Sequence, residues 1–133
     1  MSAKIDESVS PILSAVDLLQ VMEQFPSVLN ALLGNVIIKA MYGYGCHLHP
    51  ELCYLPVQVG TSWLQRFIRE SLQQQIVVPC QSDFIFIIQD GELEVEFCHE
   101  GHVHISGTNP ILVAEFLQSP AFAFIGKAGA SQA

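Results

Sequence analysis

The chain has 133 residues, of which 50% are hydrophobic and 14% are charged, and its formal net charge is −8. A length below the roughly 150 residues of a typical domain predicts one domain, and the apolar content excludes a disordered chain. Thirteen acidic residues against five basic ones would repel a phosphate backbone or an anionic membrane, so we expect neither nucleic acid nor membrane as a partner.

Cellular location and redox state are predicted from the spacing of the polar residues. Charges, prolines and amides interrupt every apolar run before it resembles a signal sequence or a membrane-spanning helix. We therefore expect a cytoplasmic protein. Because that compartment is reducing, the four cysteines should be thiols rather than disulfides.

The N-terminal part of the chain predicts helices. Residues 1–9 are polar and are expected to form a mobile N-terminus, whereas Ser10 and Pro11 are typical of a helix start. Apolar residues at helical spacing extend this helix over residues 12–24. Residues 27–33 then predict either a second short helix or a kinked continuation of the first, because proline disfavours helical geometry in the residue before it.

Two strands and another helix are predicted next. Residues 36–42 and 54–59 are rich in β-branched and aromatic residues, and Pro56 places the second strand at a sheet edge. A pattern typical of a capping box then begins a helix over residues 61–75. The predicted apolar face of this helix consists of Trp63, Leu64, Phe67, Ile68 and Leu72.

A tight turn fixes the pairing of the next two strands, residues 84–89 and 92–98. Asp90-Gly91 is the strongest short hairpin signal, since both central residues of a type I′ turn have positive φ. This two-residue loop predicts an apolar face on both strands. The predicted cross-strand pairs are Gln89 with Glu92, Ile88 with Leu93, Phe86 with Val95, and Phe84 with Phe97.

A second turn, which contains Gly101, fixes the third strand. A three-residue loop with Gly101 in the left-handed conformation pairs Phe97 with Val103, whereas a two-residue loop would pair Phe97 with His104. We prefer the three-residue loop because it keeps the apolar side chains on one face. The opposite face then carries Ile85, Ile87, Glu92, Glu94, Glu96, Cys98, His102, His104 and Ser106.

The last predicted element is a helix that begins at Asn109-Pro110, and residues 126–133 are expected to form a loose tail. Together these elements predict an α+β fold for a single domain over residues 10–125. Its largely antiparallel β-sheet has a strand meander in the C-terminal half, and three to four helices cover one face of the sheet.

Zinc is the one candidate cofactor that the sequence indicates. Cys46, His47, His49 and Cys53 are soft sulfur and nitrogen donors, which zinc prefers, although their spacing is not that of a zinc finger. The alternative is that both cysteines are small buried apolar residues and that the histidines end a strand before Pro50.

A second group of polar residues depends on the hairpin register. Glu96 should lie opposite His104, and Cys98 opposite His102, with facing Cβ atoms about 5 Å apart and Glu94 on the same face. A carboxylate beside an imidazole favours the imidazolium form, so this polar face is predicted to be sensitive to pH. The alternative is a solvated strand face whose cross-strand charges contribute a few tenths of a kcal/mol.

Three functions follow from these patterns. The first is a soluble, non-enzymatic interaction or regulatory domain, because 18 charged residues are too few to cover the surface and a homodimer would bury the remaining apolar residues, including Ile85 and Ile87. The second is a zinc-binding domain. The third is a small enzyme or ligand carrier with a Cys- and His-lined pocket between the Trp63 helix and the sheet. The sequence contains no complete catalytic signature.

Overall fold

Six strands and three helices make up the fold within residues 7–45 and 50–125, which are the residues that the computed structural model describes. The strands are β1 (Ser8–Val9), β2 (Ile37–Tyr42), β3 (Val57–Gly60), β4 (Phe84–Ile88), β5 (Leu93–Phe97) and β6 (Val103–Ser106), and the α-helices are α1 (Ala15–Leu33), α2 (Leu64–Gln73) and α3 (Pro110–Gln118). All neighbouring strands are antiparallel, in the order β1-β6-β5-β4-β2-β3, which confirms the predicted α+β fold.

The hydrophobic core lies between the helices and one face of the sheet. Alternate residues of β4 and β5 are buried, as the two-residue period of a strand requires. The Phe25 ring of α1 packs over these strands, with centroids 4.9 Å from the Phe86 ring and 5.6 Å from the Phe97 ring. Phe116 and Phe122 contact Phe25 at 6.1 and 6.2 Å. The helices therefore cover one face of the sheet, as predicted.

The first helix begins later and runs longer than the sequence pattern predicts. Its N-cap is Ser14, whose hydroxyl accepts a hydrogen bond from the Asp17 N–H at 3.1 Å. The helix passes through Pro26 without ending, so the continuation is the correct alternative. Phe25 and Leu29 are both buried in the one core, and their burial offsets the backbone hydrogen bond that a proline cannot donate.

Ser10, which was predicted to begin the helix, instead extends the pairing of β1 with β6. Its N–H donates to the Val103 carbonyl at 2.9 Å, and its hydroxyl accepts from the Val103 N–H at 2.8 Å. Residues 8 and 9, which were expected to be mobile, therefore form a strand that pairs with Ile105 and His104. This pairing satisfies backbone groups that would otherwise be unpaired along β6.

The helix predicted over residues 61–75 is shorter at both ends. Thr61 does not cap it, because its hydroxyl accepts from the Val36 N–H at 3.1 Å and donates to the Gly34 carbonyl at 2.9 Å. These bonds tie the start of a 3-10 turn, Thr61–Trp63, to the end of α1. Trp63 is 62% exposed, so its assignment to the buried face was wrong.

Both hairpins have the predicted register, except that the predicted pair of Gln89 with Glu92 does not form, because Gln89 has a positive φ, Glu92 has a helical conformation and both lie in the turn. Ile88 pairs with Leu93 across the first turn, where Asp90 and Gly91 have the positive φ values that a type I′ turn requires. Phe97 pairs with Val103 across the second turn, where Gly101 has a φ of +89°. Consequently Glu96 lies opposite His104, and the polar residues of β5 and β6 share the face that points away from the helices.

Gly101 should be the more sensitive of the two hairpin glycines. A Cβ at Gly101 would lie 2.9 Å from the Leu13 carbonyl oxygen, whereas a Cβ at Gly91 meets nothing closer than 3.9 Å. Gly91→Ala should destabilise the protein by about 1 kcal/mol, the cost of a positive φ. Gly101→Ala should cost about 1–3 kcal/mol more, because the close contact is added. Urea denaturation measures both free energies of unfolding, and equal values would contradict the close approach.

Candidate functional site

The open face of the sheet, defined as the surface of β1 to β6 that points away from the helices, has two halves. Its β2 and β4 half is mainly apolar, and its β5 and β6 half is acidic and carries histidine. One row of residues runs across both halves in the order Met41, Ile85, Glu96, His104 and Val9. The helices therefore stabilise the sheet from one side and leave these side chains accessible from the other.

Two groups of potential ligand atoms meet on the polar half. One atom from each of Glu96, Cys98 and His104 lies within 4.8 Å of the other two. The same holds for Asp83, Cys98 and His99, so Cys98 belongs to both groups. The hairpin register thus brings together three of the residues that the sequence predicted for this face.

The other two predicted residues of the polar face lie beside this group. Glu94 lines a cleft of about 90 Å³ together with Glu96 and His104. The ring of His102 lies edge-on to that of His104, with centroids 6.0 Å apart. The five residues predicted for the polar face are therefore on one surface, and the closest ligand set among them is Glu96, Cys98 and His104.

Oxygen atoms lie beside the Nδ1 atoms of two histidine rings. The Nδ1 atom of His104 is 3.1 Å from a carboxylate oxygen of Glu7 in an ion-pair contact, and the Nδ1 atom of His102 forms a hydrogen bond of 2.8 Å with the Ser10 carbonyl oxygen. A carbonyl oxygen only accepts, so Nδ1 of His102 carries the proton and donates it. In the neutral His102 ring, Nε2 is then the atom with the available lone pair.

Asp83 and His99 form a local pair. One oxygen of Asp83 accepts from the backbone N–H of His99 at 2.7 Å and from its Nδ1 at 2.8 Å. This hydrogen bond raises the pKa of the His99 imidazole. The ring also packs on Tyr44, with centroids 4.6 Å apart. The pair fixes the turn between β5 and β6 beside Cys98.

Negative groups are concentrated on this half of the open face. Burial raises the pKa of Glu96 most, the charge of Asp83 and to a lesser degree that of Glu7 raise it further, and His104 and His99 oppose this effect. Burial likewise raises the pKa of the Cys98 thiol. A cation at this position would therefore interact favourably with several neighbouring groups.

The sequence reasoning missed Glu7, Asp83 and His99. Asp83 directly precedes β4, and extending the hairpin count by one residue would have placed it opposite Cys98. Glu7 has no comparable signal, because its position depends on the pairing of β1 with β6.

The first predicted zinc cluster is largely outside the described residues. Cys46, His47 and His49 lie there, so their arrangement stays a prediction. Cys53 is half-buried and forms an isolated parallel bridge with Tyr42.

Comparisons with known proteins give no information on the function. No protein-family model, curated protein or solved structure matches the chain. Within residues 7–45 and 50–125, every helix is too short or too polar to cross a membrane.

Proposed function

We propose that this chain is a non-enzymatic interaction domain that forms a homodimer through the outer edge of β3. β3 is the last strand of the sheet order, and no other strand within the described residues pairs with its outer edge. An edge strand offers unpaired backbone donors and acceptors to another strand. The observation that carries this proposal is that β3 has the sequence Val-Gln-Val-Gly, without a charge that would oppose such pairing.

Exposed apolar side chains surround this edge. Trp63 is 62% exposed, and Tyr54 and Leu55, which precede β3, are 60% and 54% exposed. Together with Val57 and Phe67, Trp63 lines a groove of about 360 Å³ between β3 and α2. Large aromatic side chains of this kind contribute most of the binding energy in many protein interfaces. Burial of the groove would remove a connected apolar surface from water.

Charge and symmetry favour a second copy as the occupant. Each chain carries a net charge of −8, so two copies can approach closely only where charge is low or balanced. β3 itself is neutral, its neighbour β2 places Lys39 opposite Gln58, and Arg66 and Glu70 of α2 form an ion pair at 3.0 Å, so the surroundings of this edge carry no excess of negative charge. An antiparallel pair of β3 strands on a two-fold axis would match each edge with itself. The opposite edge of the sheet, β1, has two residues and offers less backbone for pairing.

The dimer is tested with a charge placed on the β3 edge. Size-exclusion chromatography with light scattering should give twice the 14.6 kDa chain mass for the parent protein at micromolar concentration. Val57→Lys should give the mass of one chain, because each β3 edge would gain a charge and the apolar contact of Val57 would be lost.

Ile111→Lys is the matched control for that experiment. Ile111 is 70% exposed at the start of α3, so its substitution adds the same charge to an apolar surface residue elsewhere. We expect this variant to remain dimeric. A monomeric parent protein, or a Val57→Lys variant that stays dimeric, would contradict the proposal.

The third predicted function has less support from the geometry. The groove beside Trp63 is lined by Val57, Gln58, Val59, Gly60, Trp63, Arg66, Phe67 and Glu70, which include neither cysteine nor histidine. The Cys and His side chains of the open face lie on other strands, so they do not converge with this groove.

A further inference from the structure

Glu96 of β5, Cys98 directly after β5 and His104 of β6 offer one oxygen, one sulfur and one nitrogen donor. Zinc binds such ligands at about 2.0–2.3 Å in a tetrahedron, which places ligand atoms roughly 3.5 Å from one another. The three donor atoms lie within 4.8 Å of one another, so rotation of the side chains closes the remaining distance. We propose that these three residues form a zinc-binding site on the open face of the sheet.

The surroundings of His104 are compatible with this assignment. A carboxylate oxygen of Glu7 lies 3.1 Å from Nδ1 of His104 in an ion-pair contact. Histidines that bind zinc through one nitrogen usually have a carboxylate or a carbonyl beside the other nitrogen. With Glu7 beside Nδ1, Nε2 is the nitrogen that remains for the metal.

The second group, Asp83, Cys98 and His99, is less suited to a metal. Its Asp83 carboxylate oxygen already accepts both N–H groups of His99, at 2.7 and 2.8 Å. A metal held between Asp83 and His99 would have to break these bonds. In contrast, the ion-pair contact of His104 is with Glu7, which lies outside its own ligand group.

The surroundings leave room for a fourth ligand. The adjoining cleft of about 90 Å³ is lined by Glu96 and His104, together with Glu7, Glu94 and Ser106. This volume is enough for an ion with a bound water, since one water fills about 30 Å³ of liquid. Three protein ligands with one open position are typical of zinc sites that bind water or an exchangeable ligand. The nearby carboxylates of Glu7 and Glu94 supply further negative charge for a divalent cation.

The zinc site is tested on the full chain after treatment with EDTA. Titration with zinc chloride in a calorimeter, checked by equilibrium dialysis and elemental analysis, should give one zinc per chain. Binding of this zinc should require the ligand residues of the open face. Cys98→Ser and His104→Gln should each lower the affinity by about 100-fold or more, because replacing even an outer-shell group costs 10–100-fold. Cys80→Ser is the matched control, since this half-buried thiol lies outside both ligand groups, and its affinity should be unchanged.

Cobalt gives a second readout that identifies the ligand. Co²⁺ accepts the same nitrogen and sulfur donors, and a thiolate ligand adds a charge-transfer band in the near ultraviolet. The parent protein and Cys80→Ser should show this band, and Cys98→Ser should lack it. Circular dichroism of each variant in EDTA verifies that the fold is retained.

Two results would overturn the proposal. One is zinc binding that is unchanged in Cys98→Ser and His104→Gln. The other is zinc binding that disappears when Cys46 and Cys53 are both changed to serine while the open-face variants bind normally, which would place the metal in the first predicted cluster. The site does not involve β3, so its failure would leave the dimer proposal standing, and the mass of the parent protein tests the dimer separately.

Discussion

Phe25→Ala is expected to lower the free energy of unfolding by about 3–5 kcal/mol, the usual cost of removing a buried phenylalanine ring. Phe25 is fully buried, and its ring contacts aromatic rings from both the sheet and the C-terminal part of the chain. The cavity left by alanine would border both layers, so neither could close it alone. A loss of this size is a large part of the 5–15 kcal/mol that stabilises a typical domain.

Urea denaturation followed by tryptophan fluorescence, with Trp63 as the single probe, measures this loss. Phe124→Ala is the matched control, because Phe124 is half-buried at the edge of the same core and its truncation leaves a space that water can enter. We expect Phe124→Ala to cost less than half as much. Similar losses for the two variants would show that Phe25 does not have the central position that its ring contacts indicate.

The strand meander could be predicted from sequence because its turns are short. Asp90-Gly91 and Gly101 each restrict the loop to one length, and once the length is known the pairing of Glu96 with His104 follows by counting. The alternating apolar pattern supports the same register. Local chemistry was therefore sufficient both for these strands and for the polar face that they carry.

The N-terminal segment could not be predicted in the same way. Ser10-Pro11 and Ser14 both resemble a helix start, and local signals do not distinguish them. The choice between these two helix starts depends on a contact that is distant in sequence, because the Ser10 carbonyl accepts a hydrogen bond from Nδ1 of His102, 92 residues away. The position of Glu7 beside His104 depends on the same pairing, so local sequence signals could not predict this ion-pair contact of the proposed site either.

Trp63 shows a different limit of pattern reading. Its spacing fits the apolar face of α2, but the helix begins at Leu64, after a 3-10 turn that Thr61 holds against the end of α1. That turn rotates Trp63 away from the core. The guanidinium carbon of Arg66 lies 5.9 Å from the centroid of the Trp63 ring. A period-based prediction assumes one continuous helix and therefore cannot detect this change of direction.

Glu96→Gln should have opposite effects on the metal-free and zinc-bound protein. In EDTA, burial raises the pKa of the Glu96 carboxyl, so the folded chain holds this proton more tightly than the unfolded chain does. A raised carboxyl pKa adds stability at low pH, and this stability is lost as the pH rises through the raised value. At pH 7 the parent protein therefore carries a half-buried carboxylate that opposes folding, and Glu96→Gln should unfold at a higher temperature. The advantage should disappear below the ordinary pKa of a glutamate.

Zinc should reverse the order of the melting temperatures, so that the parent protein unfolds at a higher temperature than Glu96→Gln. At a zinc concentration about 1,000 times the parent Kd, binding adds about 4 kcal/mol to the free energy of unfolding. If the substitution lowers the affinity about 100-fold, the same zinc concentration adds only about 1.4 kcal/mol to Glu96→Gln. Glu115→Gln removes the same charge from an exposed position on α3 and should follow the parent in both conditions. Thermal melts of the three proteins with EDTA and with zinc measure all six melting temperatures. A general loss of stability cannot produce the crossing, because it would lower both melting temperatures of Glu96→Gln, and an equal zinc response in parent and variant would exclude Glu96 as a ligand.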